Sequence, residues 1–566
     1  MIENEDLRNL MKQGTKFREN PNPNFSKMVE QISEALESLI SRWSDKERNV
    51  TPEQFRFWKK KVIDKVQDRI VKLKMKCRRT PHTGEILKKN EVKEALRQLH
   101  DKFVISVVDK AANNFAITCR KFYLVRLALE LGVDTGRFGN NTYCRLDQTE
   151  EEVCLRIRTQ MAEKFDIYVP DEYLKLPVLQ WIPKFHKNPI GYRFIAGSRE
   201  KVLTVLEVEV QKILNLLETH FRNYCEVIRS NSGFKHFFSI NNSKQALEMM
   251  NNVSNPEVFD SFDFSNLYTN FEHDELISKF KFLLDLLFTN AAKKNNGDSI
   301  RTENRSEGKA RWCILNEDNL RKYSGQKFWT KSVILDAIAF LIRNAHVKFG
   351  NLIFLQICGI PMGMIPAPGF AKLGLGVDEY KYCTKLVKDK RIDILRKLEN
   401  MVRYIDDVGV ANFLAFGDIA KEMYPRTLTL NKSNVSGISN CAFLDLNVSI
   451  ENDKFRIKVY NKTDDYSFKV IVFPYLESNI LTSVCYSVYF GEILRYLRIS
   501  SRLEDFESRS RKLTDMLKER KYQLSKMARQ FIKVFMRHKK DGRKFGNIVI
   551  QDSVQRVVYG TSSQAI

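Results

Sequence analysis

The sequence predicts an α+β fold made of several subdomains. Apolar residues recur at helical spacing near the N-terminus, β-rich segments with prolines follow residue 101, and helical patterns return after residue 481. At 566 residues the chain is too long for one hydrophobic core, so two to four subdomains are expected. The predicted units are a basic helical extension (1–100), a mixed body (101–480), a basic helical region (481–546) and a C-terminal tail (547–566).

The elements follow this order along the chain. The segments 25–43 and 52–79 have helical patterns, and the second is strongly basic. The proline-containing segment 176–201 predicts strands and turns rather than helix, and a helix is expected over 201–224. The polar segment 288–330, with KKNNGDS and RTENRSEGKAR, is interpreted as a surface insertion.

The charge of the chain points to a polyanionic partner. Lys and Arg number 93 against 69 Asp and Glu, which leaves a net charge of +24. Such a surplus favours nucleic acid or an anionic membrane as the partner. The N-terminus lacks the apolar core of a signal peptide, and Asp336 interrupts the most apolar run, 333–342. A membrane protein is therefore disfavoured, and nucleic acid is the expected partner.

The ten cysteines are scattered and form no CxxC pair. Structural zinc is therefore disfavoured. Scattered thiols in a large chain favour a reducing intracellular compartment.

The segment MVRYIDDVGV (401–410) predicts a β-hairpin with two adjacent carboxylates, Asp406 and Asp407, at an exposed tip. A solvated turn is one interpretation, since Asp is common in turns. A divalent metal site is the other, because Mg²⁺ prefers oxygen ligands from one or two carboxylates plus substrate phosphates.

A second carboxylate favours the metal site. Asp263 lies where the apolar strand of EVFDSFDFSNLYTN (257–270) gives way to a loop. Asp260 is three residues away, so on a strand it faces the other side and is interpreted as a loop or edge carboxylate. A strand-end and a hairpin-tip aspartate are what two-metal phosphoryl transfer requires.

Three motifs in the expected order resemble those of reverse transcriptases. YIDD (404–407) is similar to their YxDD box, DFSNLYT (263–269) resembles their first catalytic motif, and GIPMGMIPAP (359–368) resembles their glycine-containing template grip. The resemblance implies a right-hand polymerase fold with fingers and palm over 101–480 and a helical thumb over 481–546. It also implies two Mg²⁺ ions, replaceable by Mn²⁺, held by Asp263, Asp406 and Asp407.

Further segments resemble Penelope-like retroelements, which are related to the telomerase catalytic subunit. They are DKAANN (109–114), WIPKFHKNPIGYRFIAGS (181–198), FDFSNLYTN (262–270), FLDLNV (443–448) and VYNKTDDYSF (459–468). The resemblance covers roughly 101–535. Many members carry a GIY-YIG endonuclease domain, and no such signature is found in this sequence. We therefore expect a member without that domain, or a truncated copy.

The resemblance assigns roles around the incoming nucleotide. Tyr268 would lie beneath the sugar and exclude a 2′-hydroxyl, with a core tyrosine as the alternative. The fingers residues Arg193 and Lys184 would bind the triphosphate, and Lys110 and Gln356 are further candidates for nucleotide contact. The other basic residues of 181–201, Lys187, Arg199 and Lys201, are interpreted as a solvated face.

The resemblance also assigns the template grip and an acid. Gly359, Pro361 and Gly363 would let the backbone approach the template closely, with a plain turn as the alternative. Lys432 is the candidate acid that protonates pyrophosphate. Residues 502–544 carry 15 Lys/Arg against 6 Asp/Glu, which fits a thumb lying along an RNA–DNA hybrid.

The expected activity is RNA-templated DNA synthesis from dNTPs on a DNA primer, in retroelement replication. The alternatives are a telomerase-type catalytic subunit with a dedicated RNA, and an inactive nucleic-acid-binding relic. A nuclear location is expected from the presumed substrate.

Overall fold

The computed structural model describes residues 2–19, 24–44, 51–77, 86–133, 142–304, 308–323, 325–433, 440–546 and 549–560. The chain divides into two compact units. The first comprises Met1–Lys102 and Phe473–Cys485, and the second comprises Phe103–Val472 and Tyr486–Ile566. Across the described ranges, no helix has the length and apolar character needed to cross a bilayer.

The first unit is helical in its described ranges. Its helices are α1 (Glu5–Met11), α2 (Phe25–Ser44), α3 (Pro52–Cys77) and α4 (Asn90–Lys102). The Asn4 side chain caps α1 by accepting from the Leu7 amide at 2.9 Å. Segment 473–485 joins this unit through hydrogen bonds such as Asn479 N to Arg18 O at 2.9 Å. The sequence had placed this segment in the body and the C-terminal helical region.

The second unit begins with two antiparallel hairpins and two helices. Its elements are β1 (Phe103–Val108), β2 (Ala111–Cys119), α5 (Arg120–Leu131), β3 (Tyr143–Leu146), α6 (Glu150–Phe165), β4 (Leu179–Lys184) and β5 (Gly191–Ala196). Strands β1 and β2 pair with each other, as do β4 and β5. The hairpins are joined where Asp109 N donates to Pro183 O at 3.0 Å. This part corresponds to the predicted fingers.

The next elements contain a small sheet that the sequence did not predict. They are α7 (Thr204–Ser232), α8 (Ser243–Asn251), β6 (Phe259–Ser265), α9 (His273–Lys293), β7 (Ser299–Thr302), β8 (Ala310–Cys313), α10 (Glu317–Lys322), β9 (Lys327–Thr330) and α11 (Lys331–Arg343). Strands β8, β7 and β9 form an antiparallel sheet in that order. Ile300 and Trp329 from this sheet are buried in the main core, so the insertion expected over 288–330 is only partly a surface segment.

The central sheet is built from strands far apart in sequence. The chain continues through β10 (His346–Phe349), β11 (Leu352–Gln356), α12 (Ala367–Lys388), α13 (Ile392–Leu398), β12 (Met401–Tyr404), β13 (Asp407–Ala411), α14 (Phe416–Met423) and β14 (Thr429–Lys432). The order β12-β13-β6-β14, antiparallel throughout, defines what we call the palm sheet.

Side chains alternate between the two faces of the palm sheet. Phe262, Phe264 and Val408 point into the main core, which also contains residues of α7, α9 and α12. The opposite face carries Phe259, packed against a second core with residues of α8 and the following strands, and carries Asp263 and Asp407 near its end. The alternation therefore explains how apolar and acidic residues coexist on one strand.

The chain ends in a sheet and a helical region. These elements are β15 (Asn440–Phe443), β16 (Leu446–Glu451), β17 (Lys454–Val459), α15 (Thr482–Ile499), α16 (Leu503–Glu519), α17 (Leu524–Arg537), α18 (Lys539–Gly542) and α19 (Ile550–Val554). Buried Phe506 of α16 and Phe531 of α17 lie 5.9 Å apart between ring centroids. The predicted thumb, residues 481–546, falls in this region.

Candidate active site

The hairpin tip that carries Asp406 and Asp407 is a two-residue loop. Tyr404 pairs with Asp407, so Ile405 and Asp406 form the turn between β12 and β13. Ile405 adopts a φ of +55°, a left-handed conformation that is unusual for a β-branched residue. Phe264 N donates to Asp406 O at 3.3 Å, which ties the turn to β6.

Asp263 lies directly opposite Asp407 across the strand pair. The two are register partners on β6 and β13, so their side chains share one face of the palm sheet. Burial and the charge of Asp406 raise the pKa of Asp263. Burial, together with Asp406 and then Asp263, raises the pKa of Asp407 to about 6, while Lys462 and Lys110 oppose the shift. The three carboxylates therefore lie within each other's electrostatic field.

The carboxylates are half-buried rather than fully exposed at the tip, which corrects the sequence prediction. Half-buried like charges are unfavourable unless a cation neutralises them. No group of three or more His, Cys, Asp or Glu side chains that could hold a metal ion is formed within the described ranges. Mg²⁺ needs only one or two carboxylates and takes its other oxygen ligands from water and phosphates. This donor set therefore fits Mg²⁺ shared with a substrate, not a cage made by protein alone.

Tyr268 is brought to the same place by a 3₁₀ turn, Leu267–Thr269, that follows β6. The ring is half-buried. Burial and the charge of Asp406 raise the pKa of Tyr268 to about 12, and Arg193 acts in the opposite direction. The phenol therefore lies in the field of both a predicted metal ligand and a predicted phosphate ligand.

The predicted template grip approaches the chain's own backbone. A Cβ on Gly359 would lie 2.4 Å from Tyr268 O, and a Cβ on Gly363 would lie 2.4 Å from Ala196 O. Both glycines have positive φ, +84° and +121°. Pro361 between them is buried. The loop thus links the Tyr268 turn to the end of β5, a use of glycine that the sequence interpretation did not anticipate.

Gln356, the last residue of β11, lies beneath this loop. Its side-chain amide donates to Cys358 O at 3.0 Å, and only 1% of the residue is exposed. The side-chain oxygen has no hydrogen-bond partner in the described part of the chain. In this structure Gln356 supports the loop and presents no surface to a nucleotide.

The fingers cation Lys184 lies in the field of Asp263, and Arg193 lies in that of Tyr268. Arg193 forms an ion pair with Asp109 at 3.1 Å, and Asp109 is buried. Burial lowers the pKa of Lys184, assisted by Arg193 and opposed by Asp109 and Asp263. Lys110, with a φ of +59°, contributes to the field at Asp407. The sequence missed Asp109 because an acidic residue was not expected among phosphate-binding cations.

Lys432 is not brought to the aspartates. It pairs with Phe262 in the strand register and forms an ion pair with Asp260 at 2.8 Å, on the face opposite Asp263. Asp260 is buried on β6, so it is neither a loop nor an edge carboxylate. Asn431 is the β14 residue that shares the face of Asp263.

Two other lysines act on Asp263 instead. The charges of Lys187 and Lys462, together with Lys184, lower the pKa of Asp263 against the effect of burial. The sequence interpretation assigned Lys187 to a solvated face and gave Lys462 no role. Lys462 lies in the motif VYNKTDDYSF (459–468), about 200 positions from Asp263, so only the folded chain reveals the proximity.

Comparisons with solved structures match this architecture. Telomerase from Candida albicans, in complex with a TWJ fragment of telomeric RNA, aligns with 84% of this chain and 76% of that chain, with a TM-score of 0.54 and 13% identity. Apo telomerase from Candida tropicalis aligns with 97% of this chain and 87% of that chain, with a TM-score of 0.43 and 10% identity. No protein-family model and no curated protein matches the sequence.

The similarity to the Candida albicans structure identifies the fold class. The chain has an α+β polymerase fold, which confirms the fold predicted from the sequence. The palm sheet of this fold carries Asp263 and Asp407 on one face, with Asp406 in the adjoining turn. Lys184 lies in the field of Asp263, and Tyr268 lies in that of Asp406.

Proposed function

We propose that the protein is an RNA-directed DNA polymerase that transfers nucleotides from dNTPs to a primer 3′-hydroxyl. The observation that carries the proposal is the pairing of Asp263 with Asp407 across β6 and β13, next to Asp406 in the turn. Carboxylates arranged on adjacent strands, with raised pKa values, suit a site that gains its cations with the substrate.

The residues have distinct proposed roles. Asp263, Asp406 and Asp407 would hold two Mg²⁺ ions, or Mn²⁺, which when bound supply charge neutralisation for in-line phosphoryl transfer. Arg193 and Lys184 bind the triphosphate of the dNTP. Tyr268 packs against the sugar and excludes a 2′-hydroxyl. The reaction needs little further chemistry from the protein than positioning and charge stabilisation.

Primer extension tests this function. Purified protein is incubated with an RNA template, a DNA primer, Mg²⁺ and labelled dNTPs, beside the Asp406→Asn variant, which keeps the side-chain shape. We expect extension by the parent and a loss of activity by several orders of magnitude in the variant. Equal primer extension by the parent and by Asp406→Asn would contradict the proposal. Salt-sensitive hybrid binding without synthesis by either would favour the inactive-relic alternative.

The cellular role has two candidates. The motif resemblance favours replication of a Penelope-like retroelement, and the fold similarity to telomerase from Candida albicans favours a telomerase-type subunit. Sequencing of RNA that copurifies with the protein distinguishes them. A single dedicated RNA and synthesis of repeats would indicate the telomerase type, and a transcript encoding this chain would indicate the retroelement. Either role places the protein in the nucleus, which imaging of a tagged chain tests.

A further inference from the structure

We propose that Arg403 is a positioning residue that sets the Ile405–Asp406 turn, and with it Asp406 and Asp407, from the opposite face of the palm sheet. The inference rests on the proposed function for the role of the aspartates. Arg403 is fully buried, so it cannot touch a substrate. It is the register partner of Val408, on the face that packs into the main core.

The guanidinium joins the turn to α12. One terminal nitrogen donates to Ile405 O at 3.1 Å, and the other donates to Lys372 O at 3.1 Å. The third nitrogen, Nε, pairs with the Glu379 carboxylate of α12. A planar guanidinium makes these bonds as one rigid group, so the turn and the helix are held in a fixed relation.

Glu379 completes this buried network. Like Arg403, it has no exposed surface. Its carboxylate also accepts from Phe238 N at 3.2 Å and from the Tyr424 hydroxyl at 3.0 Å. The Arg403 backbone is bonded on both sides, from its own N to Phe238 O at 2.9 Å and from Ile240 N to its O at 2.8 Å. Strand β12 is therefore fixed up to the point where the turn begins.

The hydrogen bond to Ile405 O connects Arg403 to the proposed metal ligands. This oxygen belongs to the peptide group that links Ile405 to Asp406. The bond therefore restricts the position of the Asp406 backbone nitrogen. Ile405 has a φ of +55°, a strained conformation for a β-branched residue that needs surrounding contacts to persist. Arg403 supplies one such contact.

A role in stability alone does not account for this arrangement. Burying two charges carries a desolvation penalty, and apolar replacements of buried ion pairs are often neutral or stabilising. A planar donor is instead required where one side chain must reach two carbonyl groups and a carboxylate together. The geometry of Arg403 matches that requirement.

The test compares Arg403→Lys with Tyr424→Phe. Arg403→Lys keeps a buried cation for Glu379 but removes the planar fork. Tyr424→Phe removes another hydrogen bond to the same Glu379 and leaves the turn untouched. Each variant is measured for kcat and KM in primer extension, for Mn²⁺ binding by electron paramagnetic resonance, and for thermal unfolding.

We expect Arg403→Lys to lower kcat by about 100-fold with little change in the KM for dNTP, the scale of an ångström-sized misplacement. We also expect it to bind Mn²⁺ more weakly than Tyr424→Phe, which should match the parent in both measurements. Losses in the two variants that follow only their unfolding temperatures would overturn the proposal, as would parent-like kcat and Mn²⁺ binding in Arg403→Lys.

Two further arms keep the outcomes distinct. If Arg403→Lys does not fold, the Arg403→Gln/Glu379→Gln variant removes both buried charges together and leaves no unpaired charge. It should fold and show the same two losses. If the parent itself does not extend primers, the proposed function fails. The positioning role is then decided by Mn²⁺ binding alone. Equal Mn²⁺ binding by the parent and by the variants at Arg403 overturns it.

Discussion

Tyr268 lies at the turn after β6, in the field of Asp406 and Arg193. A bulky side chain at this position would clash with a ribose 2′-hydroxyl, whereas the phenol oxygen would have no part in the exclusion. We therefore expect Tyr268→Ala to lower the preference for dNTP over rNTP, measured as a ratio of kcat/KM values, by at least about tenfold. This corresponds to roughly 1.4 kcal/mol of discrimination.

Tyr268→Phe is the matched control for that change. It keeps the ring and removes only the hydroxyl, so the preference for dNTP should remain. Equal selectivity in the parent and in Tyr268→Ala would show that Tyr268 is a core tyrosine without a role in substrate choice.

Gly359 and Gly350 separate two costs of adding a side chain. Both have positive φ, but a Cβ at Gly359 would meet Tyr268 O at 2.4 Å, whereas no atom lies within 4 Å of a Cβ at Gly350. Gly350→Ala should destabilise the protein by about 1 kcal/mol through backbone strain alone. Gly359→Ala should add roughly 1–3 kcal/mol from overpacking against backbone. Urea unfolding of both variants measures the difference, and equal destabilisation would contradict the close packing of Gly359.

At the scale of single residues, the sequence predicts those functional residues that lie within contiguous motifs. Asp263, Asp406 and Asp407 lie in contiguous motifs whose chemistry is visible in a few letters. Arg403 and Glu379 were missed because their partnership joins two elements 24 positions apart. A signal existed, since a charged residue inside the apolar strand MVRY (401–404) must find a partner when the strand is buried.

Strand β10 contains a group that couples folding to pH. Buried His346 begins this strand, where its Nδ1 donates to Asn344 O at 2.8 Å and its Nε2 accepts from Arg156 at 3.3 Å. Burial lowers the pKa of His346 to about 4, and the positive charge of Arg156 acts in the same direction. Between pH 6.5 and 4 the unfolded chain takes up a proton that the folded chain does not, so stability falls as the pH falls.

The predicted loss is about 2 kcal/mol between pH 7 and pH 5, and it is absent above pH 7. The midpoint of urea unfolding at the two pH values measures it. His346→Gln removes the titrating group and should flatten this part of the pH dependence. A variant whose midpoint shifts with pH as much as that of the parent would show that other groups are responsible.

At the scale of elements, periodicity and prolines predict helices and hairpins well, but they do not predict assembly. The segment 288–330 has a polar pattern because the loops between its strands are polar. Buried Ile300 and Trp329 nevertheless belong to a three-stranded sheet. Each of these strands has only four residues, too few for alternation to stand out. The membership of 473–485 in the first unit depends on long-range contacts with residues near Arg18, which no local pattern reports.

For the whole molecule, the net charge of +24 is the property of the sequence that most strongly predicts a nucleic-acid partner. Nucleic-acid binding should weaken steeply with salt, because each neutralised phosphate releases condensed counterions. Charge alone does not say which surface binds. The surface that we expect to bind is the predicted thumb, the basic helical region over 481–546.

Helix α17 carries the cations that test this assignment. Arg529 and Lys533 are four positions apart, both exposed, and opposite to buried Phe531 and Val534. Arg529→Gln/Lys533→Gln should weaken binding to an RNA–DNA hybrid and reduce the slope of log K against log salt by about 1.5–2. Fluorescence anisotropy over 50–300 mM KCl measures the slope.

Lys388→Gln/Lys390→Gln is the matched control. It removes the same charge from exposed positions at the end of α12, and we expect it to change the slope much less. Equal changes in the two double variants would mean that net charge, rather than a thumb surface, governs binding.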